Sequence, residues 1–291
     1  MKPSAFDYHA PADLTEALGL LADLGEGAKA IAGGQSLVPL LAQRLAAPRH
    51  LVDLRRLTEL RGIEEDDEGL RIGAGTTQAT IERSGQVART VPLLARATPL
   101  IGYFQIRNRG TIGGSLAHAD PAAEYPAVAV ALDARLHVTS PRGRRDLAAA
   151  HFFTGTYRTS LATDELLTGV TFPRWTGRCG FAVEEFSRRR RDFAIAGAAV
   201  AVALDTGDRI RRCAIGLFGL GPTPLRATTA ETTATGSAVR DVAAEDIGHL
   251  AMRDAVAVRS DAHASAAYRS HVGAVVVARA WRRCVDEARG D

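Results

Sequence analysis

Two short segments pair a double glycine with polar neighbours: Ala32-Gly33-Gly34-Gln35-Ser36 and, about eighty residues on, Thr111-Ile112-Gly113-Gly114-Ser115. Glycine admits positive φ and lets backbone approach a ligand closely, and successive N–H groups in such a turn form a concavity that binds anions. A turn placed after a strand and before a helix also offers helix N-terminal N–H groups to a phosphate. Either turn alone reads as a tight strand–helix connection. The pairing, with Gln35 and Ser36 beside one and Thr111 and Ser115 beside the other, points to two loops serving one ligand.

Other chemistry is poorly represented. No lysine follows a glycine loop in the GxxxxGK[ST] pattern, which excludes a Walker-type phosphate site. The segment GAGTTQ (73–78) imitates the start of a Rossmann fingerprint, but Gln78 stands where Gly or Ala would pack the helix. Eight histidines are scattered without HExxH or another His–carboxylate spacing, and no GxSxG elbow occurs. Three dispersed cysteines (Cys179, Cys213, Cys284) form neither a disulfide framework nor an iron–sulfur ligand set. No metal site is therefore expected.

The net charge is +3, and only Lys2 and Lys29 of the 36 basic residues are lysines. The densest basic run, Arg188 to Arg191, is hemmed by Glu184, Glu185 and Asp192 and lacks an aromatic-studded groove, so it reads as a solvated turn or protein-docking surface rather than a nucleic-acid site. No apolar run approaches the ~18 residues of a membrane span. The first residues lack a signal-like apolar core, so a cytoplasmic protein is expected.

The elements that must hold the two turns follow from periodicity. Residues 13–25 read as an amphipathic helix with Asp13 and Glu16 at capping-box spacing, 28–32 as a buried strand entering the first turn, LVPLLAQRL as a helix and HLVDL as a strand. LRIGAG reads as a strand, TTQATIERS and 92–97 as helices, AAEYPAVAVALDA as a buried helix, RLHVTS as a strand turned by PRGR, and 165–173 as a strand. From about 178 come three strand-like runs, the last two joined by DTGD, then helices with a stripe of Tyr268, Val272, Val275, Val276 and Ala280. This divides the chain into 1–176, with subdomains at about 1–56 and 57–176, and 177–291, a three-stranded antiparallel sheet backed by helices.

AGGQSLVPLL followed by QIRNRGTIGGSLAHADPAAEYP closely resembles the FAD-binding medium subunit of the molybdenum hydroxylases, the group of xanthine dehydrogenase and carbon monoxide dehydrogenase. MKPSAFDYHAP, EEFSRRRRDFAIAGAAVAV, GLFGLGPTPLRA and YRSHVGAVVVARA extend the likeness nearly end to end. The resemblance implies an α+β protein with a vanillyl-alcohol-oxidase (PCMH-type) FAD-binding fold of two α/β subdomains and a carbon monoxide dehydrogenase-type C-terminal domain. It implies noncovalent FAD, its pyrophosphate cradled by Ala32, Gly33, Gly34, Gln35 and Ser36 from one side and by Thr111, Ile112, Gly113, Gly114 and Ser115 from the other. Ile101 and Leu167 would make apolar contacts with the cofactor, and Glu124 a hydrogen bond. Glu184 aligns with a lysine that some relatives carry near the flavin edge, Gln35 replaces a histidine, and His118 is expected to make a structural hydrogen bond. The partners implied are a large molybdopterin subunit and a small [2Fe–2S] subunit, from which electrons would reach FAD and then an external acceptor. A self-sufficient flavin oxidase would need a larger cap domain, and a scaffold that had lost FAD would show decayed glycine turns.

Overall fold

A computed structural model describes residues 2–290. The N-terminal sheet consists of β1 (Asp7–His9), β2 (Ala28–Ile31) and β3 (His50–Asp53), parallel and in the order β1-β3-β2. Between β1 and β2 runs α1 (Leu14–Leu24), whose first turn is capped by the Asp13 carboxylate accepting from the Glu16 N–H, while Glu16 accepts from the Ala12 N–H. Ala17, Leu18 and Leu21 form its buried stripe and meet Val52 of β3. The chain leaves β2 through the first glycine turn into α2 (Leu37–Ala42).

The second sheet is wholly antiparallel, with β4 (Ile63–Glu65), β5 (Gly69–Gly73), β6 (Arg135–Ser140), β7 (Gly143–Ala148) and β10 (Leu166–Pro173) in the order β4-β5-β10-β6-β7. A small hairpin, β8 (Phe153–Gly155) with β9 (Arg158–Thr159), precedes β10. Helices α3 (Gln78–Arg83), α4 (Gly85–Thr90), α5 (Pro92–Ala97), α6 (Phe104–Arg107), α7 (Ile112–His118) and α8 (Glu124–Ala131) fill the long connection from β5 to β6, and α9 (Ala149–Phe152) follows β7. From Tyr125 to Ala131 every residue of α8 is buried. A helix apolar on all sides must be covered on all sides. Here the second sheet and its helices enclose one side and the third sheet the other.

The third sheet contains the three expected long strands, β11 (Arg178–Phe186), β12 (Ala196–Leu204) and β13 (Ile210–Phe218), plus β14, a two-residue edge strand (Leu225–Arg226). All are antiparallel, and the β12–β13 hairpin turns through Asp205, whose carboxylate accepts from the Gly207 and Arg209 N–H groups. Every residue of β12 is buried, because helices cover both faces of the sheet. Behind it lie α10 (Thr228–Ala234), α11 (Ala244–Asp254) and the long α12 (Ala266–Arg289). The buried face of α12 carries Val272, Val276, Val277, Ala280, Trp281 and Cys284. Tyr268 and Val275, expected in that stripe, are exposed because the contact face turns away from them along the helix.

Small residues set the spacing of these layers. A Cβ on Gly180 of β11 would lie 1.8 Å from the Cys284 carbonyl oxygen of α12, and one on Gly216 of β13 would lie 2.3 Å from the Ala127 carbonyl oxygen of α8. Arg96 of α5 is bonded to both Glu287 carboxylate oxygens of α12 and to the Phe181 carbonyl, joining the middle of the chain to its last helix. Gly180→Val should therefore drive β11 and α12 apart. Overpacking of this kind costs about 1–3 kcal/mol. Thermal unfolding followed by circular dichroism should show a fall in Tm of several degrees, whereas Gly19→Val, on α1 with open space around its Cβ direction, should lower it less.

Candidate functional site

The two glycine turns meet. A Cβ on Gly33 would stand 2.1 Å from the Arg109 carbonyl oxygen and 2.8 Å from the Gly110 Cα, so bare backbone of the first turn abuts the approach to the second. Gly34 has φ of 74°, a conformation that disfavours side chains. A Cβ on Gly114 would lie 3.6 Å from that of Ala32. Strand β2 delivers the first turn. The second hangs on a bridge between Thr77 and Thr111, with the Gln78 N–H bonded to the Gly110 carbonyl and the Ile112 N–H to that of Thr76.

Their donors differ. Among the described residues no protein acceptor takes the backbone N–H of Gly33, Gly34, Gln35 or Ser36, and the Gln35 side chain braces the turn by donating to the Gly33 carbonyl at 3.2 Å. In the second turn the N–H groups after Thr111 are spent internally: Ile112 on Thr76, Gly113 on the Ala74 carbonyl at 2.9 Å, Gly114 on Thr111 Oγ1 at 3.0 Å and Ser115 on the Thr111 carbonyl. What remains there for a ligand is the Thr111 and Ser115 hydroxyls. The Ile112 side chain lies in the core, and Gly113 has a packing reason of its own, since a Cβ there would be 2.4 Å from that of Ala74. Unpaired amides of one loop facing hydroxyls of another make a neutral, multidentate anion cradle.

Around the cradle, Ile101 is half-buried in a loop whose shape is set by Arg107. That buried guanidinium grips Glu82 and donates to the Ile101 and Gly102 carbonyls at 3.0 and 2.8 Å. Leu167 is buried in β10 beside a register shift, and the next residue's carbonyl accepts from the Ala74 N–H, which ties this strand to the floor of the second turn. Buried Gln78 Oε1 lies against Gly110 and has no donor. His118 makes no side-chain hydrogen bond among the described residues, contrary to expectation. Its ring rests on Tyr157 with centroids 5.0 Å apart, and burial pushes its pKa down. Lys29, exposed on β2 three residues before Ala32, is close enough to His118 for its charge to disfavour the imidazolium. Sequence reasoning passed over it, although a lone lysine just before a glycine turn was a visible signal.

The carboxylates also differ from expectation. In β11, Gly180 and Glu184 face α12, where Glu184 pairs with Arg283. Phe181 and Val183 face the opposite way, into the core shared with α8. Alternation therefore puts Glu185, not Glu184, on the side of α8 and its first residue, Glu124. Glu124 is crowded by protein, and burial, aided by repulsion from Glu185 and Asp120, pushes its pKa up to about 8. Burial alone pushes Glu185 up to about 7.

Among the described residues no hydrolytic or metal site is assembled. Asp146, His137 and Thr171 form a hydrogen-bonded chain at 2.8 and 2.7 Å, but Thr171 is buried within the second sheet and cannot meet a substrate. Burial pushes the thiol of each cysteine up, away from thiolate reactivity. Among the described residues no cluster of His, Cys, Asp or Glu could hold a metal, and no helix is long and apolar enough to cross a membrane.

Residues 4–175 match the family model described as the FAD binding domain in molybdopterin dehydrogenase, and residues 181–284 match the CO dehydrogenase flavoprotein C-terminal domain. The chain is 41% identical to the 6-hydroxypseudooxynicotine dehydrogenase complex subunit alpha of Paenarthrobacter nicotinovorans, covering 99% of this chain and 97% of that protein. It is 38% identical to the carbon monoxide dehydrogenase medium chain of Hydrogenophaga pseudoflava, over 98% and 100%. Among solved structures, a Cu,Mo-CO dehydrogenase chain superposes with TM-score 0.95 at 38% identity over 99% and 100% of the two chains. Quinoline 2-oxidoreductase from Pseudomonas putida 86 gives 0.93 at 35% identity over 99% of each.

The raised Glu124 pKa has a consequence for the cofactor-free protein. Between about pH 4.5 and about 8 the folded state holds a proton that the unfolded state has released, so stability falls as pH rises through that window. Glu124→Gln should flatten this fall and raise Tm at pH 8 by several degrees, with little effect at pH 4, as read by thermal melts across the pH range.

Proposed function

The chain belongs to the family of FAD-binding medium subunits of molybdenum hydroxylases, oxidoreductase subunits whose cofactor is FAD, and from that premise we propose that it is the electron-transfer subunit of such a complex. It takes electrons from a small [2Fe–2S] subunit, supplied in turn by a large molybdopterin subunit where the organic substrate is oxidised, and passes them to an external acceptor. The complex belongs in the cytoplasm, a placement that suits three free cysteines. The observation that carries the reading is the meeting of the two glycine turns with four unpaired amides on one side and two hydroxyls on the other. A diphosphate fits that donor set, and a single phosphate would leave part of it idle.

FAD supplies the redox chemistry when bound, and the protein binds, orients and shields it. The Gly33–Ser36 amides and the Thr111 and Ser115 hydroxyls would hold the diphosphate noncovalently, and Lys29 would add a compensating charge. Ile101 and Leu167 offer apolar surface, and Glu124 a hydrogen-bonding group at the start of α8. No side chain abstracts a proton from substrate, in keeping with electron entry by tunnelling. We assign 1–176 as the FAD-binding domain and 177–291 as the domain that closes over it.

Gly34→Val places a β-branched side chain at positive φ, and Gly114→Val forces one into the Thr111 hydroxyl 2.8 Å away. Each should weaken FAD binding about 100-fold, the loss of one or two charge-assisted hydrogen bonds, as titrated by flavin fluorescence. Full FAD occupancy in both variants would refute the cradle. Mixed anaerobically with the complex's substrate, the isolated FAD-loaded chain should keep its flavin absorbance, and bleaching should require the other two subunits. Rapid bleaching without partners would replace this reading with an oxidase.

The arginine run occupies an exposed turn after β11, with Arg191 over the Tyr103 ring at 5.7 Å. Acting in subunit contact, it should give association of the complex a mild salt dependence. Tight duplex DNA binding with a steep salt slope would count against that role.

A further inference from the structure

Resting on the FAD reading above, we propose that Glu185 of β11 and Glu124 at the start of α8 form a carboxyl pair that shares one proton, so that FAD is taken up together with that proton.

The geometry comes from two separate elements. Val183 of β11 packs on Ala127 of α8 and Phe218 of β13. Glu185 lies one strand step beyond Val183 on the same face, and Glu124 opens α8 one turn before Ala127. The third sheet thus brings Glu185 to the start of α8, close enough for its charge to act on Glu124. Neither forms an ion pair with any described residue, and the Glu124 carboxyl has only the N–H of its own residue as a donor.

The charged neighbours do not relieve them. Asp120, between α7 and α8, adds a third negative charge that acts on Glu124. Beside it, Tyr125 is bonded through its hydroxyl to Thr98, and Arg107 is committed to Glu82. Beyond Asp120, His118 is half-buried against Tyr157 and held toward its neutral form. On the far face of β11, Glu184 neutralises Arg283, and Arg269 of α12 is bonded to Asp261 and to the Ile195 and Gly219 carbonyls. Arg188 to Arg191 and Asp192 belong to the exposed turn that follows β11. Two desolvated carboxyls without a cation do not both ionise near neutrality, and they titrate as a pair.

A dinucleotide brings a negatively charged diphosphate to the neighbouring cradle and an aromatic ring that excludes water. Both effects penalise a second negative charge on the pair, so the complex retains a proton that the free protein loses at high pH. Where one proton is taken up on binding, each pH unit above the titration of the free pair weakens affinity by up to about tenfold. A protonated carboxyl there is a hydrogen-bond donor as well as an acceptor, which a carboxylate is not.

The test is the dissociation constant of FAD, titrated by fluorescence on the full chain from about pH 6.5 to about pH 9. In the native protein it should weaken by about tenfold or more across that range. E124Q, which removes the buried titrating carboxyl, should reduce the change to about twofold or less, and E185Q should lessen it by removing the repulsion that adds to burial at Glu124, whereas E184Q, on the other face of the strand, should keep the native profile. A flat native profile overturns the pair, as does a slope abolished by E184Q and retained in E185Q. Failure to bind FAD at any pH removes the underlying FAD reading itself.

Discussion

Bare backbone against bare backbone, at Gly33 and the Arg109 carbonyl, is the contact on which the rest of the structure depends. It joins a parallel three-stranded sheet to the loops of an antiparallel one with no side chain between them. Any Cβ there would open a gap, and both turns would lose their common focus. The contact also explains the division of labour between the turns. The second is built into the protein through Thr76, Ala74 and Thr111, so it is rigid but has spent its amides. The first is held by its neighbours and keeps its amides free.

The same economy of side chains recurs between the layers. Gly180 lets α12 approach β11, and Gly216 lets α8 approach β13. Alanines fill much of β12, whose two faces both lie against helices. Close layers bring backbone carbonyls and carboxyls near one another with little room for water, which is why Glu124 and Glu185 sit so far from their ordinary titration.

Much of this was legible in the sequence. Asp13 and Glu16 marked α1, the turn residues Asp205 to Asp208 marked the β12–β13 hairpin, and the unbroken apolar run after Glu124 marked a helix buried all round. The two glycine turns were legible as a pair because each followed an apolar segment and carried polar neighbours. What was not legible has a physical cause in each case. In a strand, adjacent residues face opposite ways, so a one-residue difference in phase separates Glu184, the partner of Arg283, from Glu185, the carboxyl on the α8 side. No local pattern fixes that phase, because both faces of β11 are covered. Whether an amide is free or already bonded depends on Ala74 and Thr76, which lie far from Gly113 in sequence. The edge strand Leu225–Arg226 was too short for any periodicity to show.

Helix α8 belongs to two neighbourhoods at once. Its connections place it among the loops of the second sheet, yet Ala127 is walled by the third, and Arg212 and Arg226 of β13 and β14 reach back to Asp133 just beyond its end. The covalent order of the chain and the order of its packing therefore disagree. A cut near residue 177 would strip the first piece of the wall that covers α8 and leave the second with an apolar sheet face open to water. Exchange of modules between related proteins would accordingly have to carry α8 and the C-terminal sheet together as one inherited block, even though some fifty residues of other structure lie between them in the sequence.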